Sequence, residues 1–437
     1  MRFRRYRRGH SRRNCNSVGD ARERRQWGPV VPESVRVDRA LLPMFVAREL
    51  RLLIGSAASA GCPHNIGFHR KQKNGDSFRP SDLVRASLLR SQPGGFMRSV
   101  VFFNNKGGVG KTTLACNIAA QFADQRSLRV LLVDCDPQCN STQLILETDQ
   151  WASIYWEKIG DDQQTIIDIL QPIELGDADI QCGVSPMKSS QNRFGVDLIP
   201  GHPRMSIIED LLSRAWGEAI GGDIGGIRRT NWIPSLLREY EDRYDVILFD
   251  VGPSLGSLNR TILIGADYFV APMGADIFSV VGIRNIAEWL NNWISVYKTG
   301  LSLCTSRHPD ALEKFGIDPE GQVNASFVGY TVQQYITKSK QGVRRPTQAF
   351  EAILSGIPNE VEQSLGKFTP PDLDMNDLKL GDVPNMYSLI PLAQSVNAPI
   401  SALQSSDGLA GGQYRQQENY LHTIRAVTES LARNMGS

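Results

Sequence analysis

The residues best suited to chemistry are gathered in the run NKGGVGKTT over 105–113, where Gly107, Gly108, Val109 and Gly110 lie between two lysines, Lys106 and Lys111, and are followed by Thr112 and Thr113. Glycines let successive backbone N–H groups turn inward around phosphate oxygens, and a helix that starts where such a run ends adds partial positive charge. In this pattern Lys111 reaches the β and γ phosphates of a nucleotide and Thr112 is a ligand of Mg²⁺. The strict G-x-x-x-x-G-K-[ST] form is not met, because position 105 is Asn and a second lysine stands at the entry. The rival is a Gly-rich turn with a solvated lysine. An apolar run before the loop and a helical pattern after it favour phosphate binding.

Those flanks belong to a longer alternation. Short β-branched or apolar runs predict strands over 99–104, 129–134, 196–200, 245–250, 268–272 and 327–332. Helical spacing predicts helices over 112–125, 165–171, 207–215, 278–297 and 418–433, with turn-rich loops over 221–226 and 370–384. Strands alternating with helices are the pattern of βαβ units and a parallel sheet. In such a sheet the carboxyl ends of the strands face the ligand crevice, which sets two acidic stretches beside the loop. The first is DCDPQCNST over 134–142, with Asp134 and Asp136; the second is YDVILFDVGPSLG over 244–256, whose strand ends in Asp250. Asp250 is placed to hold Mg²⁺, through water.

Composition bounds the rest. The chain has 437 residues, 41% apolar and 22% charged, with a net charge of +2. The balance conceals 20 basic against 7 acidic residues in 1–96 and 28 against 39 in 97–437. The first segment opens with seven arginines in thirteen residues and shows no sustained periodicity. It is read as an upstream in-frame extension, with Met97 as the biological start; a basic arm for nucleic acid or membrane phosphates is the second reading and a targeting peptide the third. The domains expected are thus 1–96 and 97–437. The apolar stretch 39–60 is interrupted by Arg48, Glu49 and Arg51, and no window reaches the ~18 uncharged apolar residues of a membrane helix. Seven cysteines, an odd and thinly spread set, argue against a disulfide framework and for a reducing, cytoplasmic location.

The K-G-G-x-G-K-T-T loop, the D-x-D-P-Q-x-N-x-T segment and the strand ending in Asp250 with P-S-L-G after it resemble the deviant Walker A, switch and Walker B motifs of the ParA/MinD superfamily of ATPases. Stretches 198–201, 266–282 and 384–400 lengthen the match, which covers essentially all of 97–437 and none of 1–96. The resemblance implies a doubly wound, mostly parallel α/β sheet of the P-loop NTPase type with helices on both faces. It implies that ATP and Mg²⁺ are the cofactors, that ATP closes a homodimer, and that a ParB-like activator speeds a slow hydrolysis. By resemblance Lys106 crosses the dimer interface to the partner's nucleotide, Asp136 handles the attacking water, and 384–400 lies near the adenine, with a spacing here about one residue longer. Relatives of the nitrogenase-reductase type bridge a cluster across their dimer, but draw its four thiolates from other places, so Cys135 and Cys139 are read as ordinary small residues.

Lys338, Lys340, Arg344 and Arg345 concentrate charge in 334–346 of an otherwise acidic region. They are read as a non-specific DNA contact, sensitive to salt, against the plainer reading of a solvated face. The function expected is DNA partition by a cytoplasmic, nucleoid-associated ATPase without membrane binding. The alternatives are a MinD-like or other positioning ATPase acting on membrane or protein cargo, and a synthetase acting on a small molecule. No helix-turn-helix pattern is seen in 1–96.

Overall fold

The computed structural model describes residues 97–156, 164–319, 326–333, 338–340, 343–345, 348–386 and 388–436, and the side chains of all of these except 338–340, 343–345 and 348–352. Residues 1–96, expected to form a separate segment, lie outside the described residues.

Three runs, RSVVF, VLLVD and VILFD, form the centre of the sheet as β1 (Arg98–Phe102), β2 (Val130–Asp134) and β4 (Val246–Asp250). Every residue of β2 and β4 is buried, which explains apolar runs rather than alternation: a parallel strand covered on both faces has no wet side. With β3 (Asp197–Ile199), β5 (Tyr268–Gly274), β6 (Ser326–Gln333) and β9 (Lys379–Val383) they make a seven-stranded sheet of order β3-β2-β4-β1-β5-β6-β9. All of its pairings are parallel.

Alternate residues of each strand enter two separate cores. Val101 and Phe103 pack with Ile208, Trp216, Ile262 and Ile286 on one face, while Val100 and Phe102 pack with Leu114, Ile118, Ile424 and Leu431 on the other. Helices Met205–Ile220, Ser257–Gly265, Ile277–Arg307 and Gln348–Leu365 cover the first face; Lys111–Gln125 and Gln413–Asn434 cover the second. This is the doubly wound sheet with helices on both faces that the motifs imply.

Two expectations are corrected. The segment 370–384, expected to be a loop, carries β9, which pairs with β6 at the sheet edge. Its sequence KLGDV has two apolar side chains turned to the core and a glycine at their centre, too little pattern to announce a strand; tertiary pairing makes it one. The expected loop 221–226 holds a turn and then the helix Ile224–Thr230, whose N-cap Asp223 accepts from the Gly226 N–H at 2.8 Å. Two glycines at its start hid it. Gly226 is required because any Cβ there would come within 2.6 Å of the Ala219 nitrogen, where this helix crosses Met205–Ile220.

The described part of the basic segment forms a small antiparallel ribbon, β7 (Lys338–Lys340) and β8 (Val343–Arg345), with Lys338 opposite Arg345 and Ser339 opposite Arg344. Residues 334–337, 341–342 and 346–347 lie outside the described residues.

Candidate nucleotide site

Register builds this site. Asp250 is level with both Phe102 and Asp134, so β1, β2 and β4 end together. Whatever follows β1 and β2 therefore meets the end of β4. The loop after β1 runs to the helix Lys111–Gln125, with Gly108 and Gly110 both at φ 73°. Such left-handed backbone is cheap only for glycine. Gly107 and Gly108 are exposed, and an added Cβ at either would meet nothing within 4 Å. The helix has no side-chain cap, which leaves its first N–H groups for a ligand or water to satisfy.

Lys111 is almost buried, 7% exposed, and donates from Nζ to the Lys106 carbonyl at 3.2 Å. Burial pushes its pKa down, against the pull of Asp250 and Asp136. Asp134 is fully buried and accepts from the Thr142 N–H at 2.9 Å, the Thr142 hydroxyl at 2.7 Å and the Asp136 N–H at 3.2 Å. Asp250, also fully buried, accepts from the Ser141 hydroxyl at 2.6 Å through Oδ2, while its Oδ1 has no hydrogen-bond partner. Burial, and then the charge of Asp250 on Asp134 and of Asp136 on Asp250, raises both carboxyls above their ordinary range. An orphaned buried carboxylate oxygen is costly unless something positive takes it up. Thr112, Asp136 and Asp250 offer only oxygen, and among the described residues no three His, Cys, Asp or Glu side chains group into a metal cage. That donor set suits Mg²⁺ held by few protein oxygens, with water and phosphate completing its shell.

Asp136 is 6% exposed, accepts from the Gln138 N–H at 2.9 Å and lines the same cavity as Gly107, Lys111 and Thr112. The Cys135 and Cys139 side chains are buried beside it, and burial pushes both thiols up. Lys106 stands apart from Lys111. Its ammonium pairs with Asp276, a residue absent from the expected set, which also caps the helix Ile277–Arg307 by accepting from the Phe278 and Ser279 N–H groups at 3.0 and 3.2 Å. Those bonds hold the Asp276 carboxyl below its ordinary range despite partial burial. An Asp at the end of a strand followed by an apolar helical run is an N-cap signal, and it was present in 274–281. Beyond this pair the helix exposes Ile277, Phe278 and Val281, at 52%, 72% and 45%.

Two cavities meet at the loop. One, about 680 Å³, is lined by Gly107, Lys111, Thr112, Asp136, Pro253 and Trp151. The other, about 450 Å³, is lined by Lys106, Gly110, Gln333, Pro384, Met386 and Tyr420. The structure thus brings Lys106 through Thr113, Asp136 and Asp250 to one place. Lys338, Lys340, Arg344 and Arg345 lie on a different element, the β7–β8 ribbon. Gln333, also unforeseen, ends β6 against Gly110, and a glutamine at the end of an apolar strand gives no signal of its own.

Comparison with known proteins agrees with this arrangement. A family model described as an AAA domain matches residues 97–303. The virulence plasmid ParA family protein pGP5-D of Chlamydia psittaci is 30% identical over 193 residues, 44% of this chain and 63% of that protein. The chromosome partitioning protein ParA of Myxococcus xanthus is 30% identical over 206 residues, 47% of this chain and 60% of that protein. The chain thus spans less than two thirds of the length of these curated relatives. The crystal structure of protein DIP2308 from Corynebacterium diphtheriae is similar at 37% identity with a TM-score of 0.57, covering 69% of this chain and 97% of that one. With the loop, the two acidic strand ends and the seven-stranded sheet in place, the chain belongs to the ParA/MinD-type family of P-loop ATPases.

Proposed function

We propose that the chain is an ATP-driven dimerising switch of the partition or positioning kind. The observation that carries this reading is the second lysine. Lys111 and the loop N–H groups suffice to hold phosphates, yet Lys106 sits on the open rim, paired with Asp276 beside exposed Ile277, Phe278 and Val281. A lysine at the rim of its own site, next to unpartnered apolar side chains, suits a second copy docking across the phosphates. On docking, Lys106 exchanges Asp276 for the partner's nucleotide.

The larger cavity takes the triphosphate and the smaller one, with Pro384, Met386 and Tyr420, takes the base. Thr112 and Asp250 hold Mg²⁺, which neutralises phosphate charge when bound. Lys111 and the loop amides stabilise the charge that develops as the terminal phosphoryl departs, and Asp136 orients the attacking water. An isolated carboxylate in this role gives slow turnover, which leaves room for a ParB-like activator.

The cargo in this reading is DNA. Four cations on the β7–β8 ribbon support a sequence-independent phosphate contact, in a cytoplasmic, nucleoid-associated protein. Among the described residues no helix is long and apolar enough to cross a membrane. The apolar face of the last helix, Tyr420, Ile424, Val427 and Leu431, is buried against the helix Lys111–Gln125 and is not offered to lipid.

The test is binding of the full chain to a random-sequence duplex with ATP·Mg²⁺, with ADP·Mg²⁺ and without nucleotide, over a salt series. The expected result is binding with ATP only. Neutralising Lys338, Lys340, Arg344 and Arg345 together lowers the log–log salt slope by up to about 3–4, since each phosphate contact contributes ~0.9. Dimerisation with ATP but no DNA binding at low salt overturns the DNA reading and leaves protein or membrane cargo.

A further inference from the structure

The loop that follows Asp250 is held from outside the nucleotide site. The helix Ser257–Gly265 begins at Gly256, which has no side chain to cap it. Glu209, on the helix Met205–Ile220, supplies the cap instead: its two oxygens accept from the Ser257 and Leu258 N–H groups at 2.5 and 3.0 Å. A carboxylate across the first N–H groups of a helix satisfies orphan donors and meets the positive end of the dipole. A Cβ at Gly256 would lie 1.9 Å from Glu209 Oε1, so the glycine lets the carboxylate close directly over the helix start.

From this anchored helix Asn259, 2% exposed, reaches back along the loop. Its Nδ2 donates to the carbonyls of Gly252 and Ser254, both at 2.8 Å. Gly252 in turn rests on Asp136: a Cβ at Gly252 would lie 3.2 Å from Asp136 Oδ1. The next residue, Arg260, has its guanidinium between the rings of Trp216 and Trp293, at 4.7 and 5.0 Å, and so ties the same helix to its two neighbours. A continuous set of bonds thus runs from Glu209 through the helix start and Asn259 to the wall behind the Asp136 carboxylate.

We propose that Glu209 and Asn259 are positioning residues for hydrolysis, fixing the 252–256 loop so that Asp136 is held at the angle its water requires. The proposal rests on the ATPase reading above. Neither residue touches the cavities that take the nucleotide, so each acts on turnover rather than on affinity.

The experiment is single-turnover ATP hydrolysis by the full chain, with ATP affinity measured separately by a fluorescent analogue, for wild type, N259A, E209A and E209Q. N259A and E209A are expected to lower the rate by about 10- to 100-fold, the range a small misplacement of a reacting group produces, with ATP affinity within about twofold of wild type. E209Q keeps one accepting oxygen and is expected to fall between E209A and wild type. If E209A does not fold, N259A, which leaves the cap in place, decides the matter. Rates within twofold of wild type in N259A overturn the proposal. So does a loss of ATP affinity equal to the loss of rate, which marks a merely structural role. A wild-type chain that binds ATP and never hydrolyses it brings down the ATPase reading itself, a result no variant can produce.

Discussion

Alanine substitutions along the phosphate loop separate the cost to the fold from the cost to the ligand. At Gly107 the backbone is not left-handed and a Cβ meets nothing within 4 Å, so Gly107→Ala strains nothing in the empty protein. By restricting the unfolded chain it stabilises by about 0.4–1 kcal/mol. Gly108 has the same open surroundings but φ 73°, which costs a side chain roughly 1–2 kcal/mol and leaves a net loss near 1 kcal/mol after the same entropic gain. Gly110 adds a contact, a Cβ 2.7 Å from Gln333 Nε2, to the same φ. Since the Gln333 amide ends a flexible side chain, the extra loss is modest. For a domain of this size roughly 2 °C follows from each kcal/mol. The order of melting temperatures expected without nucleotide is therefore Gly107→Ala at or slightly above wild type, then Gly108→Ala, then Gly110→Ala. ATP·Mg²⁺ at a hundred times its dissociation constant stabilises wild type by about 2.7 kcal/mol, an upward shift near 5 °C. If the open space beside Gly107 is where phosphate oxygens meet the loop N–H groups, the new methyl group occupies it and that shift is expected to vanish in Gly107→Ala. Differential scanning fluorimetry with and without nucleotide reads both quantities. A Gly107→Ala protein that melts several degrees low when empty, or that keeps the full ATP shift, refutes the assignment of that open space to phosphate.

Further expectations follow from the same geometry. Lys111→Ala abolishes nucleotide binding in an affinity titration while costing the empty protein little, since burial already disfavours its charge; Asp136→Ala keeps ATP affinity but stops phosphate release and leaves a persistent dimer in size-exclusion chromatography. Asp134 and Asp250 bind protons more tightly folded than unfolded, so the stability they lend is full at low pH and is lost as pH rises through their raised folded values. The empty protein should accordingly melt lower at pH 8 than at pH 6, and Asp250→Asn, which removes the neighbouring charge, should flatten that slope; an unchanged slope contradicts the assigned pair. Serine at Ile277, Phe278 and Val281 together should weaken the ATP-bound dimer by at least tenfold in sedimentation equilibrium while leaving monomer affinity for ADP unchanged.

The parts of this protein legible in its sequence are those whose structure is local. Six of the seven strands of the large sheet are apolar runs because they are buried on both faces, and the phosphate loop shows itself because glycine, lysine and threonine must stand at fixed offsets. The helix expected over 165–171 is of the same kind, since Thr165 caps Ile166–Glu174 by bonding within its own turn. What was missed depends on distant partners. Strand β9 exists because β6 offers it an edge, and Ile224–Thr230 is a helix because its glycines fit against Ala219. Asp276 had a capping signal, but its pairing with Lys106 joins residues 170 positions apart. Glu209 and Asn259 carry no motif, and only the fold brings a glutamate to a helix start 48 residues later.

The central claim, that nucleotide sets the association of two copies through the Lys106 rim, is tested most directly by light scattering of the full chain without nucleotide, with ADP·Mg²⁺ and with ATP·Mg²⁺, alongside Lys106→Ala. The account predicts one copy in the first two conditions, a doubled mass with ATP, and no doubling in Lys106→Ala even at ATP concentrations that saturate it. A mass that ATP leaves unchanged, or a doubling that survives loss of Lys106, contradicts it.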